Sequence, residues 1–84
     1  MQTAIVPVSV FPATANTLMI RSITLGPPPS YYYELQQVAG KEVTVLKNGN
    51  VNMTEAQWQA WPADADDDEV QLDAIAANLG LTRA

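Results

Sequence analysis

The sequence predicts a small α+β domain, a mostly antiparallel β-sheet of four to five strands followed by two short C-terminal helices packed on one face. Three observations carry that expectation. Residues 3–53 are rich in β-branched and aromatic types in segments of strand length. Thr54-Glu55-Ala56-Gln57 has the residues of a helix capping box. Leu72, Ile75, Ala76 and Leu79 recur at the spacing of a single helical face. At 84 residues the chain reads as one domain, 1–84, in three parts. These are an apolar, Pro-rich strand or arm region (1–30), a β-meander (31–53) and a helical segment (54–84).

Residues 3–11 suit a pleated surface, and Pro7, which has no N–H to donate, makes them an edge strand or an extended arm. Residues 17–25 place Thr17, Met19, Arg21, Ile23 and Leu25 on one face and Leu18, Ile20, Ser22 and Thr24 on the other. Both faces are mostly apolar, which fits a strand covered on both sides. Gly26-Pro27-Pro28-Pro29-Ser30 then interrupts regular structure and favours polyproline II.

Tyr31–Val38 and Lys41–Lys47 read as strands joined at Ala39-Gly40, and Asn48-Gly49 is the favoured filling of a two-residue type I′ turn into a third strand. That register sets Leu35 opposite Thr44, Tyr33 opposite Leu46, and Leu46 opposite Val51. Tyr31, Tyr33, Leu35, Thr44, Leu46, Val51 and Met53 then share an apolar face. Tyr32, Glu34, Gln36, Lys41, Val43, Val45, Lys47, Asn50 and Asn52 take the mixed one, with Tyr32 covering the stem of Lys47.

Thr54 caps the first helix, with Gln57 closing the box, Met53 stapling onto Trp58, and Pro62 ending it. Asp66 or Asp67 caps the second, whose first turn gathers acids where the helix dipole favours them. Gly80 is placed as its left-handed terminator, with Leu81 folding back.

Charge is unevenly spread. Residues 1–33 carry Arg21 alone, and Glu34, Lys41, Glu42 and Lys47 cancel. From Glu55 onward Glu55, Asp64, Asp66, Asp67, Asp68, Glu69 and Asp73 face only Arg83, which gives −6, so the excess behind the net −5 is entirely C-terminal. Four basic residues do not neutralise a nucleic-acid backbone. No apolar run approaches the roughly 20 residues of a membrane-spanning helix. No Lys or Arg precedes the apolar N-terminal run, and Pro7 and Pro12 interrupt it, which speaks against a cleaved leader.

The chain has no cysteine and no histidine, which removes thiol chemistry, the commonest metal ligand and the usual general base near neutral pH. Asp64-Ala65-Asp66-Asp67-Asp68 begins like an EF-hand loop. The loop then needs glycine where Glu69 stands and a bidentate Glu where Ile75 stands. The expectation is a non-enzymatic protein with no catalytic residue, no cofactor, no metal and no small-molecule substrate. What stands out is apolar surface in the N-terminal third. Ile5, Val8, Val10, Phe11, Leu18 and Ile20 are candidates for an interface, joined by Trp61, since tryptophan is enriched at interface anchors.

From about Tyr31 onward, Tyr-Tyr-Glu-Leu (32–35), Gly-Asn-Val-x-Met-Thr (49–54), Gln-Trp-x-x-Trp (57–61), an acidic turn and Ile-Ala-x-x-Leu-Gly-Leu (75–81) follow one another. In this layout the chain resembles small accessory proteins encoded among the structural genes of tailed bacteriophages. The resemblance implies a virion component in repeated copies, assembled in the host cytoplasm, with other virion proteins or copies of itself as partners. It supplies no catalytic residues. The expected function is thus a structural assembly subunit docking through its apolar N-terminal strands, without direct contact to nucleic acid or membrane. Two alternatives stand beside it: a free acidic binding protein or inhibitor that covers a basic site, and a cation-stabilised module.

Overall fold

Strand-forming residues continue almost without interruption to Asn52, and a computed structural model shows what they build. It describes residues 1–24, 26–64 and 66–84. Four strands, β1 (Gln2–Val10), β2 (Ala13–Thr24), β3 (Ser30–Ala39) and β4 (Glu42–Asn52), form one antiparallel sheet in the order β1-β2-β3-β4. Two helices follow, α1 (Glu55–Gln59) and α2 (Asp67–Asn78). The expected α+β architecture is therefore present. The N-terminal residues are not an arm, because β1 and β2 make half of the sheet.

Paired residues in adjacent strands share a face. Leu18 pairs with Leu35, Ile20 with Tyr33, and Ser22 with Tyr31; Tyr31 in turn pairs with Val51. Ile5, Leu18, Ile20, Tyr31, Tyr33 and Leu35 are buried with Met53, Leu72, Ile75 and Ala76 in one core. The opposite face carries Met19 beside Glu34 and Arg21 beside Tyr32, with Arg21 and Ile23 exposed. β2 is therefore covered on one face, not both, because both helices pack on the same side.

Asn48-Gly49 is not a turn. β4 runs straight through it, with Asn48 paired to Glu34 and Gly49 to Tyr33. Among the described residues only Gly26, Gly40 and Gly80 have positive φ, so Gly49 lacks the geometry a type I′ turn needs. Its role is steric. A Cβ on Gly49 would lie 3.1 Å from Tyr33 Cε1 and 3.2 Å from its hydroxyl, so the missing side chain makes room for an aromatic ring laid across the strand, a known way of covering a sheet glycine. The hairpin joint is Gly40-Lys41, since Ala39 pairs with Glu42. The register then slips between Leu35 and Gln36, where Leu35 faces Lys47 and Gln36 faces Val45, leaving Leu46 as a bulge. The expected pairs Leu35–Thr44, Tyr33–Leu46 and Leu46–Val51 are replaced by this register.

The helix ends follow the expected chemistry. Gln57 N–H donates to Thr54 Oγ1 at 3.1 Å, and Thr54 N–H to Gln57 Oε1 at 2.9 Å, completing the box. Asp66 caps α2, accepting from the N–H groups of Asp68 and Glu69. Gly80, at φ +72°, terminates it, with Gly80 N–H reaching Ala77 O and Leu81 N–H reaching Ala76 O. Pro27 and Pro28 form a bend opened by Gly26 in place of polyproline II.

The last residues return to the sheet. Val6 N–H donates to Thr82 O at 2.8 Å and Ala84 N–H to Ala4 O at 3.0 Å, so the tail pairs with β1 on its otherwise open edge. Arg83 fastens it, its Nη1 lying 2.6 Å from Glu69 and 2.7 Å from Asp73 while its Nε donates to Thr3 Oγ1. Those two carboxylates hold the guanidinium pKa above its ordinary value.

Candidate functional site

The helices roof only part of the sheet. The molecule measures 37 × 22 × 21 Å, and twelve residues of strand span about 37–40 Å, so the long axis matches β2. Twelve helical residues in α2 reach only about 18 Å. Two tethers of the helical layer, Tyr31 to Gln71 and Asn78 to Asn52, lie at one end, and a third, Arg83 to Thr3, lies midway, where Thr3 pairs with Leu18. At the other end the two hairpins project as a paddle, their tips at Phe11-Pro12 and Gly40-Lys41.

The paddle carries the most exposed apolar side chain, while Val6 on β1 and Ile23 at the far end of β2 are exposed elsewhere. Phe11, at the β1–β2 tip, is 94% exposed, and Val43 and Val45, neighbours on one face of β4, are 55% and 45% exposed. Val43 pairs with Val38 and Val45 with Gln36, on the face away from the helices. Between the hairpins, Asn16 stands in for a missing stretch of ladder. Val38 N–H donates to its Oδ1 at 2.9 Å, and its Nδ2 donates to Val38 O at 3.0 Å.

Seven residues were expected at an interface, and the structure divides them. Ile5, Leu18 and Ile20 are buried in the chain's own core. They meet Leu35, Tyr33 and the helices, and offer nothing to a partner. Val8 and Val10 are half-buried beside that core. Phe11 is fully presented, and Trp61 is half-buried against α2. Val43 and Val45, on the mixed strand face, are not among the seven, and two valines two residues apart on that face are the signal that marks them.

A second feature lies at the opposite end. Trp58 and Trp61 meet edge to face with ring centroids 5.8 Å apart. Beside them Ser22, Pro29, Tyr31 and Gln71 complete a cleft of about 250 Å³. Tyr31 O–H donates to Gln71 Oε1 at 2.7 Å, and burial pushes its pKa up. Trp61 Nε1–H donates to Asp67 Oδ1 at 3.2 Å. Among the described residues, no group of acids is arranged to hold a metal ion.

The uncovered face of the sheet carries a polar chain. Tyr32 O–H donates to Glu34 Oε2 at 2.6 Å, and Gln36 Nε2 to Glu34 Oε1 at 2.8 Å. Arg21 sits 5.4 Å from the Tyr32 ring centre, so Tyr32 lies under Arg21 and not along Lys47. The hydrogen bonds from Tyr32 and Gln36, with the nearby Arg21 charge, hold the Glu34 carboxyl below its ordinary value. A lowered folded-state pKa adds stability above the unfolded value and loses it as pH falls through the folded one. The melting-temperature advantage of the native chain over Glu34→Gln should therefore be full near neutrality and shrink as pH falls below about 4.5. Thermal melts of both chains across that range check it.

Compared with family models, with curated proteins and with solved structures, the chain matches none.

Proposed function

We propose that this protein is a non-enzymatic structural assembly subunit that docks through the paddle formed by its two hairpins. The observation that carries the reading is Phe11, a large aromatic presented almost entirely to solvent at the tip of a hairpin whose own strands are anchored in the core. Phe11 with Val43 and Val45 puts three of the exposed large hydrophobics on the two hairpins, and exposed apolar surface of this kind marks an interaction surface. The charges at the hairpin end, Lys41 and Glu42, cancel, so burial of apolar side chains drives docking, with little electrostatic steering. The setting in a phage particle, with copies of the same chain as neighbours, follows the resemblance of residues 31–84 to phage accessory proteins.

Light scattering at several concentrations and two salt levels tests this reading. A salt-resistant oligomer that grows with concentration is expected. A monomer at every concentration would contradict self-docking.

A further inference from the structure

We propose that the cleft between Trp58 and Trp61, walled by Gln59 and Asp67, seats a basic side chain, arginine or lysine, carried by a partner protein. This site lies at the opposite end from the paddle and stands independently of it.

Two of the cleft's three side-chain donor groups are engaged within the chain. Trp61 Nε1–H is held by Asp67 and Gln59 Nε2 by Glu55 Oε1, which leaves the Trp58 indole N–H. What the walls still offer is aromatic surface and carboxylate oxygen. Asp67 gives one oxygen to the indole, and no hydrogen bond among the described residues engages the other. A neutral polar ligand would find few donors to meet its acceptors, whereas an arginine or lysine head group needs none. It gains both from indole faces and from the carboxylate beside them.

Charge points the same way. Arg83 is taken by Glu69 and Asp73, and Arg21 lies on the uncovered face of the sheet over Tyr32. Lys41 occupies the far hairpin tip, and Lys47 belongs to β4, paired with Leu35. Among the described residues, no ion pair neutralises Glu55, Asp64, Asp66, Asp67 or Asp68. The cleft thus combines an apolar seat with the Asp67 carboxylate in its wall, in the acidic first turn of α2, complementary to a cation that brings an aliphatic stem.

The test follows both indole N–H resonances of ¹⁵N-labelled full-length chain, at low salt, during titration with the peptide acetyl-Gly-Arg-Arg-Gly-amide. A saturable shift of both signals is expected, weakened by added salt. The isosteric citrulline peptide, which keeps the shape and removes the charge, should bind at least about tenfold more weakly. The Asp67→Asn/Asp68→Asn double variant keeps the Asp66 cap and should show the same loss with an unchanged circular dichroism spectrum. Phe11→Asp should bind the peptide as the native chain does, which separates this site from the paddle. No saturable shift, equal binding of the citrulline peptide, undiminished binding by the double variant, or an equal response to a neutral oligosaccharide would each overturn the proposal.

Discussion

Truncating Leu18 to alanine should cost the folded chain about 3 kcal/mol, a lowering of the melting temperature of roughly 15 °C in a domain this small. Leu18 is fully buried on the roofed face of the sheet, opposite Leu35 and in one core with Ile75 and Ala76. Removing its branched end loses the transfer energy of the buried carbons and leaves a cavity that surrounding strands close only in part. A domain of this length has a total stability of only about 4–12 kcal/mol, so the loss is a large fraction of the whole. Were residues 1–30 a docking arm, the same substitution would leave the melting curve unchanged and weaken association instead. Phe11→Ala is the matched control. Its ring touches little of the chain, and its melting temperature should move by no more than an exposed substitution does, within about 0.5 kcal/mol.

The second large effect is expected at Gly49. Valine there should destabilise by about 2 kcal/mol, because its branched side chain must displace the Tyr33 ring, which is itself packed in the core. Pairing it with Tyr33→Leu distinguishes this cause from a turn. If Gly49 makes room for the ring, the double variant loses less than the sum of the two single variants in chemical denaturation. If Gly49 were instead needed for turn geometry, the two losses would add.

These two residues also show what could be read in advance and what could not. Helix caps are local chemistry. Thr54 with Gln57, Asp66 with the next two N–H groups, and Gly80 at the C-terminus all involve neighbours within a few residues, and all appear as expected. The inward direction of Tyr31 and Tyr33 follows from strand alternation, which is also local. The Asn48-Gly49 dipeptide reads as a turn because the same residues serve two purposes, and a glycine that makes room for a ring sixteen positions away leaves no trace in its own neighbourhood. The bulge at Leu46 and the return of Thr82–Ala84 along β1 depend on long-range pairing, and no periodicity in those residues announces it.

The candidate sites divide along the same line. Ile5, Leu18, Ile20 and Phe11 are all apolar residues of the N-terminal third, and composition alone treats them alike. Only the helices decide which are roofed, since α2 is about half as long as the sheet beneath it. Trp61 could be singled out from its type, but its setting could not. Tyr31 and Gln71 join it through a hydrogen bond spanning forty positions. For the same reason, deleting residues 2–25 would not test docking, because it removes two of the four strands. A single change at the hairpin tip does.

The most direct measurement is the melting temperature and the solution mass of Phe11→Asp, taken together on one sample beside the native chain. The account predicts a melting curve like the native one once both are dissociated by dilution, and a mass reduced to the monomer at concentrations where the native chain associates. A variant that associates as the native chain does, or that unfolds outright, would contradict the assignment of Phe11 to docking and of the buried N-terminal residues to the core.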